Sequence, residues 1–257
     1  KINSPEIPPL ELPTLESLGL DKTIIDSRAV LQFKGGETEA KHRLQHYFYD
    51  TKCLSTYKET RNGMVGADYS SKFSPWLANG CLSPREIYYE LKKYEEEFGA
   101  NESTYWLVFE LIWRDFFKYT ALKHGNSIFK LGGILEKTYV WSTNQKFVQQ
   151  WVNGETADDF VNANMIELKK TGWMSNRGRQ NVASFFAKSQ NLDWRIGAAY
   201  FESMLIDYDV HSNYGNWMYV SGVGNDPRDR KFNTQLQAER YDPAHLFRNR
   251  WLQQTLF

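Results

Sequence analysis

The chain has 257 residues and a mass of 30.1 kDa, and its 41% hydrophobic and 16% aromatic residues exclude intrinsic disorder and allow a sizeable core. Thirty-one Lys and Arg balance thirty-one Asp and Glu, so no bulk charge announces nucleic acid or an anionic membrane, and any basic face is local. Two cysteines, Cys53 and Cys81, make no disulfide framework, and no apolar run reaches the roughly 18 residues of a membrane span, so the chain reads as soluble, intracellular and cytoplasmic.

The chain opens on Lys1, not Met, which points to processing or truncation, and the start lacks the character of a targeting leader. Pro5, Pro8, Pro9 and Pro13 fall in the first 22 residues, and the first 40 carry seven acidic against four basic side chains. Residues 1–35 therefore read as an extended acidic, Pro-rich linker ahead of a helical domain over 36–257. No later stretch alternates long enough for a strand, which predicts an all-α, multi-helix domain with long connecting loops. Helices are predicted over 38–49, then from Ser83, which heads a capping box with Pro84 at the first helical position and Glu86 at the third, then over 103–119 and 145–152. Thr156 and Asp159 offer a weaker box ahead of Phe160, Val161, Met165, Ile166 and Leu168, and further helices are predicted over 176–190 and 196–206.

Residues 106–117 are apolar at nine of twelve positions, which predicts a helix buried nearly all round, with Glu110 and Arg114 on one face and Trp113 paired with Phe117. Its charges are either a self-compensating ion pair or the lining of a polar cavity. Tyr69-Ser70-Ser71-Lys72-Phe73-Ser74-Pro75 concentrates four hydroxyls and a Lys before a Ser-Pro helix start, which is either an ordinary cap or an anion site suited to phosphates. There is no Walker loop, and Gly222-Val223-Gly224 lacks the third glycine of a dinucleotide fingerprint, so a nucleotide cofactor needs another cradle. Asn176-Arg177-Gly178-Arg179-Gln180-Asn181 lies in a stretch, 165–195, with six basic and two acidic side chains. That is a solvated face or, beside Trp173 and Trp194, a nucleic-acid surface. The cluster at 207–219 sets Asp207 and Asp209 beside Asn213, Gly215 and Trp217, but without a His pair at metal spacing, and no metal is expected. With neither a nucleophile-elbow Ser nor a candidate Cys nucleophile, hydrolytic chemistry is disfavoured.

Together these segments resemble the photolyase/cryptochrome family and, within it, the cryptochrome DASH branch. The resemblance rests on the motifs at 57–63, 67–77, 110–116, 171–185 and 207–217, with Lys231-Phe232-Asn233 in the tail. It covers the family's flavin-binding helical domain and leaves its N-terminal α/β antenna domain outside the chain. The resemblance implies FAD as cofactor, with no antenna folate or deazaflavin expected. By position, Tyr57, Ser70, Ser71, Lys72, Phe73 and Ser74 would hold the diphosphate side. Glu110, Trp113, Arg114 and Phe117 would line flavin and cavity, while Asn176, Arg179, Asp207, Tyr208 and Asp209 would surround the isoalloxazine, and Asn213 would face its N5. Trp217, Trp194 and Trp141 fall at the positions of the family's electron-transfer series. Arg61, Arg177 and Arg230 would contact DNA phosphates, Trp113 would stack on an extruded base, and Glu110 would hydrogen-bond the lesion.

Gln180 and Tyr219 stand where duplex-repairing photolyases usually carry Met and Trp, which implies pyrimidine dimers in single-stranded DNA as the favoured partner. Asp159, Asn162 and Ile166 depart from a family pattern that more often has Pro, Asp and Arg. Three functions are in play: light-driven dimer repair, a blue-light photosensor without repair, and a flavin-free module that binds nucleic acid through its basic patches.

Overall fold

A computed structural model describes residues 11, 13–21, 24–226 and 228–253. The remaining parts of the predicted linker, residues 1–10, 12, 22 and 23, lie outside the described residues. Twelve α-helices follow in order among the described residues: α1 (Glu37–Gln45), α2 (Tyr57–Thr60), α3 (Ser74–Ala78), α4 (Pro84–Phe98), α5 (Glu102–His124), α6 (Gln145–Asn153), α7 (Asp159–Thr171), α8 (Asn176–Ser184), α9 (Trp194–Met204), α10 (Val210–Ser221), α11 (Thr234–Tyr241) and α12 (Leu246–Leu252). α1 and α8 each run on into a π-helical turn, His46–Asp50 and Phe185–Ser189. The fold is all-α, and the β structure described is one isolated parallel bridge between Ser142 and Leu192.

Helix starts follow the local chemistry, with adjustments. Ser83 accepts from the Arg85 amide, but Glu86 turns towards Lys41, so the box there is half formed. The complete box belongs to α5, where Asn101 accepts from the amides of Ser103 and Thr104, and Thr104 Oγ1 accepts from the Asn101 amide. At α7 the cap is Asp158, not Thr156, whose hydroxyl donates to Asn162 Oδ1. Asn162 also donates to the Thr156 carbonyl, so the departure at 162 is absorbed by the loop ahead of the helix, and Ile166 fills the space beside Gly154. The helices α10, α11 and α12 lack a legible apolar stripe. They are set by the Asp209 and Asn233 caps and by packing, with α10 against α5 and α9, and α12 against α7.

Two main cores form. One joins α1, α4 and the inner face of α5 through Ala40, Phe48, Leu54, Trp76, Leu91 and Leu107. The other joins α6 to α10 through Trp151, Val161, Phe186, Trp194, Phe201 and Trp217. Leu31 and Phe33, at the end of the acidic segment, lie on the first core, with the Phe33 ring between Trp76 and Trp173. α5 is not buried all round: Ile112 is 57% exposed and Tyr119 67%, on a side where no other described element lies over them. Its long apolar run reflects one face on the cores and a second, aromatic face on the surface.

Helix approach depends on missing side chains. At Gly197 of α9 a Cβ would run into the Trp217 ring, and at Gly215 of α10 into the Phe117 ring. Gly197→Ala is expected to lose about 1–3 kcal/mol of stability through overpacking, checked by urea unfolding followed through tryptophan fluorescence.

Candidate active site

A cavity of about 300 Å³ opens where the two cores meet. Its first wall comes from α2, the loop before α3, and α5; its second comes from α8, α9 and α10.

The first wall is organised by a residue that pattern reading passed over. Arg43, on α1, is only 6% exposed and directs its guanidinium into the loop at 67–71. It donates to the carbonyls of Ala67 (3.0 Å), Ser70 (3.1 Å) and Ser71 (3.0 Å) and to the Asp68 carboxylate (2.7 Å). With those carbonyls turned towards α1, the Ser70, Ser71 and Ser74 side and Lys72 line the cavity. Lys72 adopts a left-handed backbone (φ 55°), a costly conformation for a side-chain-bearing residue. Its ammonium is buried over the Tyr69 ring, and burial, reinforced by nearby Arg43, holds its pKa down to about 6. The adjoining α3 is a single five-residue turn with no side-chain cap, so the serine hydroxyls carry the anion-site character here and the helix dipole contributes little.

The second wall carries the paired acids. Arg179 donates through one nitrogen to both oxygens of Asp207 (2.9 and 3.0 Å) and through Nε to the Met174 carbonyl, and it lies over Trp173. Asp209 caps α10 through the Ser212 amide, with Arg114 3.9 Å away. Asn213 donates to the Ala198 carbonyl (3.0 Å), and its amide oxygen takes no hydrogen bond from a described residue. Tyr57, Phe73, Asn176, Tyr208, Gln180 and Trp217 complete the lining.

Several expected positions serve other contacts. Glu110 does not pair with Arg114; it pairs with Arg61, whose guanidinium also covers Trp106, so Arg61 is engaged inside the protein instead of facing a phosphate. Burial raises the Glu110 carboxyl pKa against the opposing pull of that guanidinium. Phe117 does not reach the cavity, because its ring fills the notch at Gly215. Arg177 is turned inward to Asn62 (2.8 Å) and Gln180 (2.9 Å) and over the Tyr241 ring, which removes it from a solvated basic face. Trp113 and Tyr219, expected at the cavity, are not among its lining residues: they meet edge to face at 6.1 Å, and Arg230 donates to the Tyr219 hydroxyl (2.8 Å). Of the three predicted electron-transfer indoles, Trp217 alone lines the cavity. Its ring covers Gly197, one turn after Trp194 on α9, and the bridge from Ser142 to the residues before α9 brings Trp141 to the same end of that helix.

Buried polar atoms test what the cavity fits. Lys72 Nζ, Trp173 Nε1 and Trp217 Nε1 all belong to lining residues and have no hydrogen-bond partner among the described residues, a donor set suited to a ligand with phosphate and ring acceptors. All-helical walls, hydroxyls, one buried lysine amine and lining indoles together fit a flavin-binding domain of the photolyase type.

Over residues 106–255 the sequence matches the family described as FAD binding domain of DNA photolyase. It is 56% identical over 242 residues to a cryptochrome DASH of Danio rerio, covering 94% of this chain and 46% of that protein. The crystal structure of a Synechocystis sp. PCC6803 cryptochrome superposes with a TM-score of 0.90 at 56% identity, covering 95% of this chain and 51% of the other. A bacterial class III photolyase from Agrobacterium tumefaciens superposes with a TM-score of 0.78 at 30% identity, covering 84% and 45%. The chain belongs to the photolyase/cryptochrome family, in its cryptochrome DASH branch, and spans about half the length of these relatives. FAD is its cofactor, which removes the flavin-free alternative. No described helix is long and apolar enough to cross a membrane.

Arg43→Lys keeps the charge but loses the planar fork that holds three carbonyls and a carboxylate. It is expected to weaken FAD binding by about 1–3 kcal/mol, roughly fivefold or more, with unchanged helicity, as measured by release of FAD fluorescence on dilution and by circular dichroism.

Proposed function

We propose that the chain repairs cyclobutane pyrimidine dimers in DNA under blue or near-ultraviolet light, with single strands favoured over duplex. FAD, when bound, supplies the photoexcitable electron for a redox-neutral splitting of the cyclobutane ring. Tyr57, Ser70, Ser71, Lys72, Phe73 and Ser74 hold the diphosphate side. Asn176, Arg179, Asp207, Tyr208, Asp209 and Asn213 hold the isoalloxazine side.

The observation that carries this reading is an aromatic corner, Trp113 and Tyr219, next in sequence to the cavity-lining Arg114 and Val220, together with the partly desolvated acid Glu110 in the lining itself. A flat indole stacks on an extruded base, and a carboxylate fixed by Arg61 accepts a hydrogen bond from a pyrimidine N–H. A light sensor that never receives a nucleobase has no use for that pair. Arg177 and Arg230 support the site by fixing Gln180 and Tyr219, with Arg230 itself held by the Asp226 carboxylate (2.9 Å). A phenol in place of an indole, and an amide in place of Met, offer less stacking to offset an unstacking cost of a few kcal/mol, which favours an already open strand.

The series Trp217, Trp194 and Trp141 serves light-driven reduction of the cofactor, and it also supports a second reading as a photosensor. The two readings part in a repair assay with the flavin kept reduced. Dimer-containing single strands are expected to be repaired under light, and Trp113→Ala to weaken their binding by about 1–3 kcal/mol. Persistence of the dimer under those conditions would remove the repair reading in favour of the sensor. Trp217→Phe is expected to retain FAD and abolish photoreduction, read from the absorption spectrum during blue illumination with a thiol donor, while leaving repair by chemically reduced protein intact.

A further inference from the structure

The three indoles of the electron-transfer series share one deficiency: none has a base in the protein for its proton. Trp217 Nε1 and Trp141 Nε1 are buried with no hydrogen-bond partner among the described residues, and Trp194 Nε1 donates to the Leu131 carbonyl (3.0 Å), which cannot keep a proton. An electron hole that reaches Trp141 therefore stays a cation with its N–H shut off from water, where charge is costly and nothing prevents the electron's return.

Tyr139 supplies what Trp141 lacks. Its ring meets Trp141 edge to face at 5.8 Å between centroids, and its hydroxyl donates to Asp229 Oδ2 (3.1 Å). Asp229 and Lys188 form an ion pair seated over Gly222, at the end of α10, where a Cβ would collide with both. The Lys188 ammonium lies over the Tyr139 ring at 5.1 Å, so a second positive charge on that ring is disfavoured and the electron leaves together with the phenol proton. At rest, burial, with the Asp229 carboxylate beside it, raises the phenol pKa and keeps that proton in place. The Asp229 side chain is 49% exposed, which opens a way from its carboxylate to solvent.

We propose that Tyr139 is the terminal electron donor of the series and Asp229 its proton acceptor, an inference that rests on the electron-transfer reading of Trp217, Trp194 and Trp141. Photoexcited oxidised flavin is the oxidant, and the electron it takes comes through Trp217 and Trp194 and leaves the hole on Trp141. One electron then passes from Tyr139 to Trp141, which returns to a neutral indole. The phenol O–H bond breaks, an O–H bond forms on Asp229, and a neutral tyrosyl radical remains until an external thiol restores it by giving up a hydrogen atom. Tyr214 stands in a similar relation to Trp194, edge to face at 6.2 Å with its hydroxyl on Glu202 (3.2 Å), but an exit there would leave Trp141 without a use.

The test is electron paramagnetic resonance of the FAD-loaded protein, frozen after blue illumination without thiol, with its tyrosines either natural or ring-deuterated. The signal of the wild-type protein radical is expected to narrow when the tyrosines are deuterated. Y139F is expected to lose that response and to leave a shorter-lived tryptophan radical, and D229N to lose most of the tyrosine signal while its absorption spectrum still shows bound flavin. A wild-type radical indifferent to tyrosine deuteration overturns the Tyr139 exit and leaves the tryptophan series standing. A tyrosine radical that survives Y139F and vanishes in Y214F overturns it too, by moving the exit to Trp194. A D229N that keeps the tyrosine radical at wild-type yield overturns the role of Asp229. Absence of any protein radical removes the series itself, and this exit with it.

Discussion

The site hangs on one buried guanidinium. Arg43 commits its donors to the carbonyls of Ala67, Ser70 and Ser71 and to Asp68, and thereby turns the other side of that loop, with its serines and Lys72, into the cavity. A loop rich in small hydroxyl residues has little of its own to resist unfolding into solvent, and a lysine in left-handed backbone makes it less stable still. A fixed planar fork on the rigid α1 supplies the restraint, because each of its bonds to a part-buried acceptor loses far more when broken than a surface contact would.

The second constraint is the close approach of helices across the seam between the two cores. Gly197 lets the Trp217 ring of α10 approach the backbone of α9, and Gly215 lets the Phe117 ring of α5 approach the backbone of α10, so α10 packs closely on both neighbours beside the cavity. α5 mediates between the two cores: it contributes Leu107 to one, sets Phe117 against α10, lines the cavity with Glu110 and Arg114, and still leaves an aromatic face on the surface. Charge is handled in the same spirit. The chain is neutral overall, yet Arg61 with Glu110, Arg179 with Asp207, and Arg43 with Asp68 place compensated pairs around one cavity. Such pairs add little to stability, but they hold polar groups in set orientations where a cofactor must be bound.

The legible part of the fold was its strongly capped or strongly amphipathic helices. Ser83 and Pro84 announced α4, and the apolar spacing after Thr156 announced α7, though the cap itself fell to Asp158. α10 was illegible as a helix because Val210 to Ser221 mixes His, Ser, Asn and Gly with its aromatics. Its helicity comes from the Asp209 cap and from burial against two neighbours. The full run of apolar residues on α5 suggested burial all round, since sequence records hydrophobicity and not what stands opposite each face. In the site, ordered motifs brought Ser70, Lys72, Arg179, Asp207 and Asn213 to attention, whereas Arg43 looked like an ordinary charge on a helix. Only its depth distinguishes it, and depth is a property of the packed chain.

The sequence alone determined the class of the fold, the family through its five ordered motifs, and the set of side chains able to serve a flavin. The class of fold follows from local spacing and capping chemistry, which act over a few residues, and the family and flavin-serving side chains from the resemblance its motifs carry. The tertiary structure decided which partner each charge takes: Glu110 with Arg61 and not Arg114, Arg177 turned inward, Phe117 drawn into a notch, and Lys72 buried over the Tyr69 ring. Those choices depend on which surfaces exclude water once the two cores close, and desolvation is a sum over distant parts of the chain that no local pattern contains.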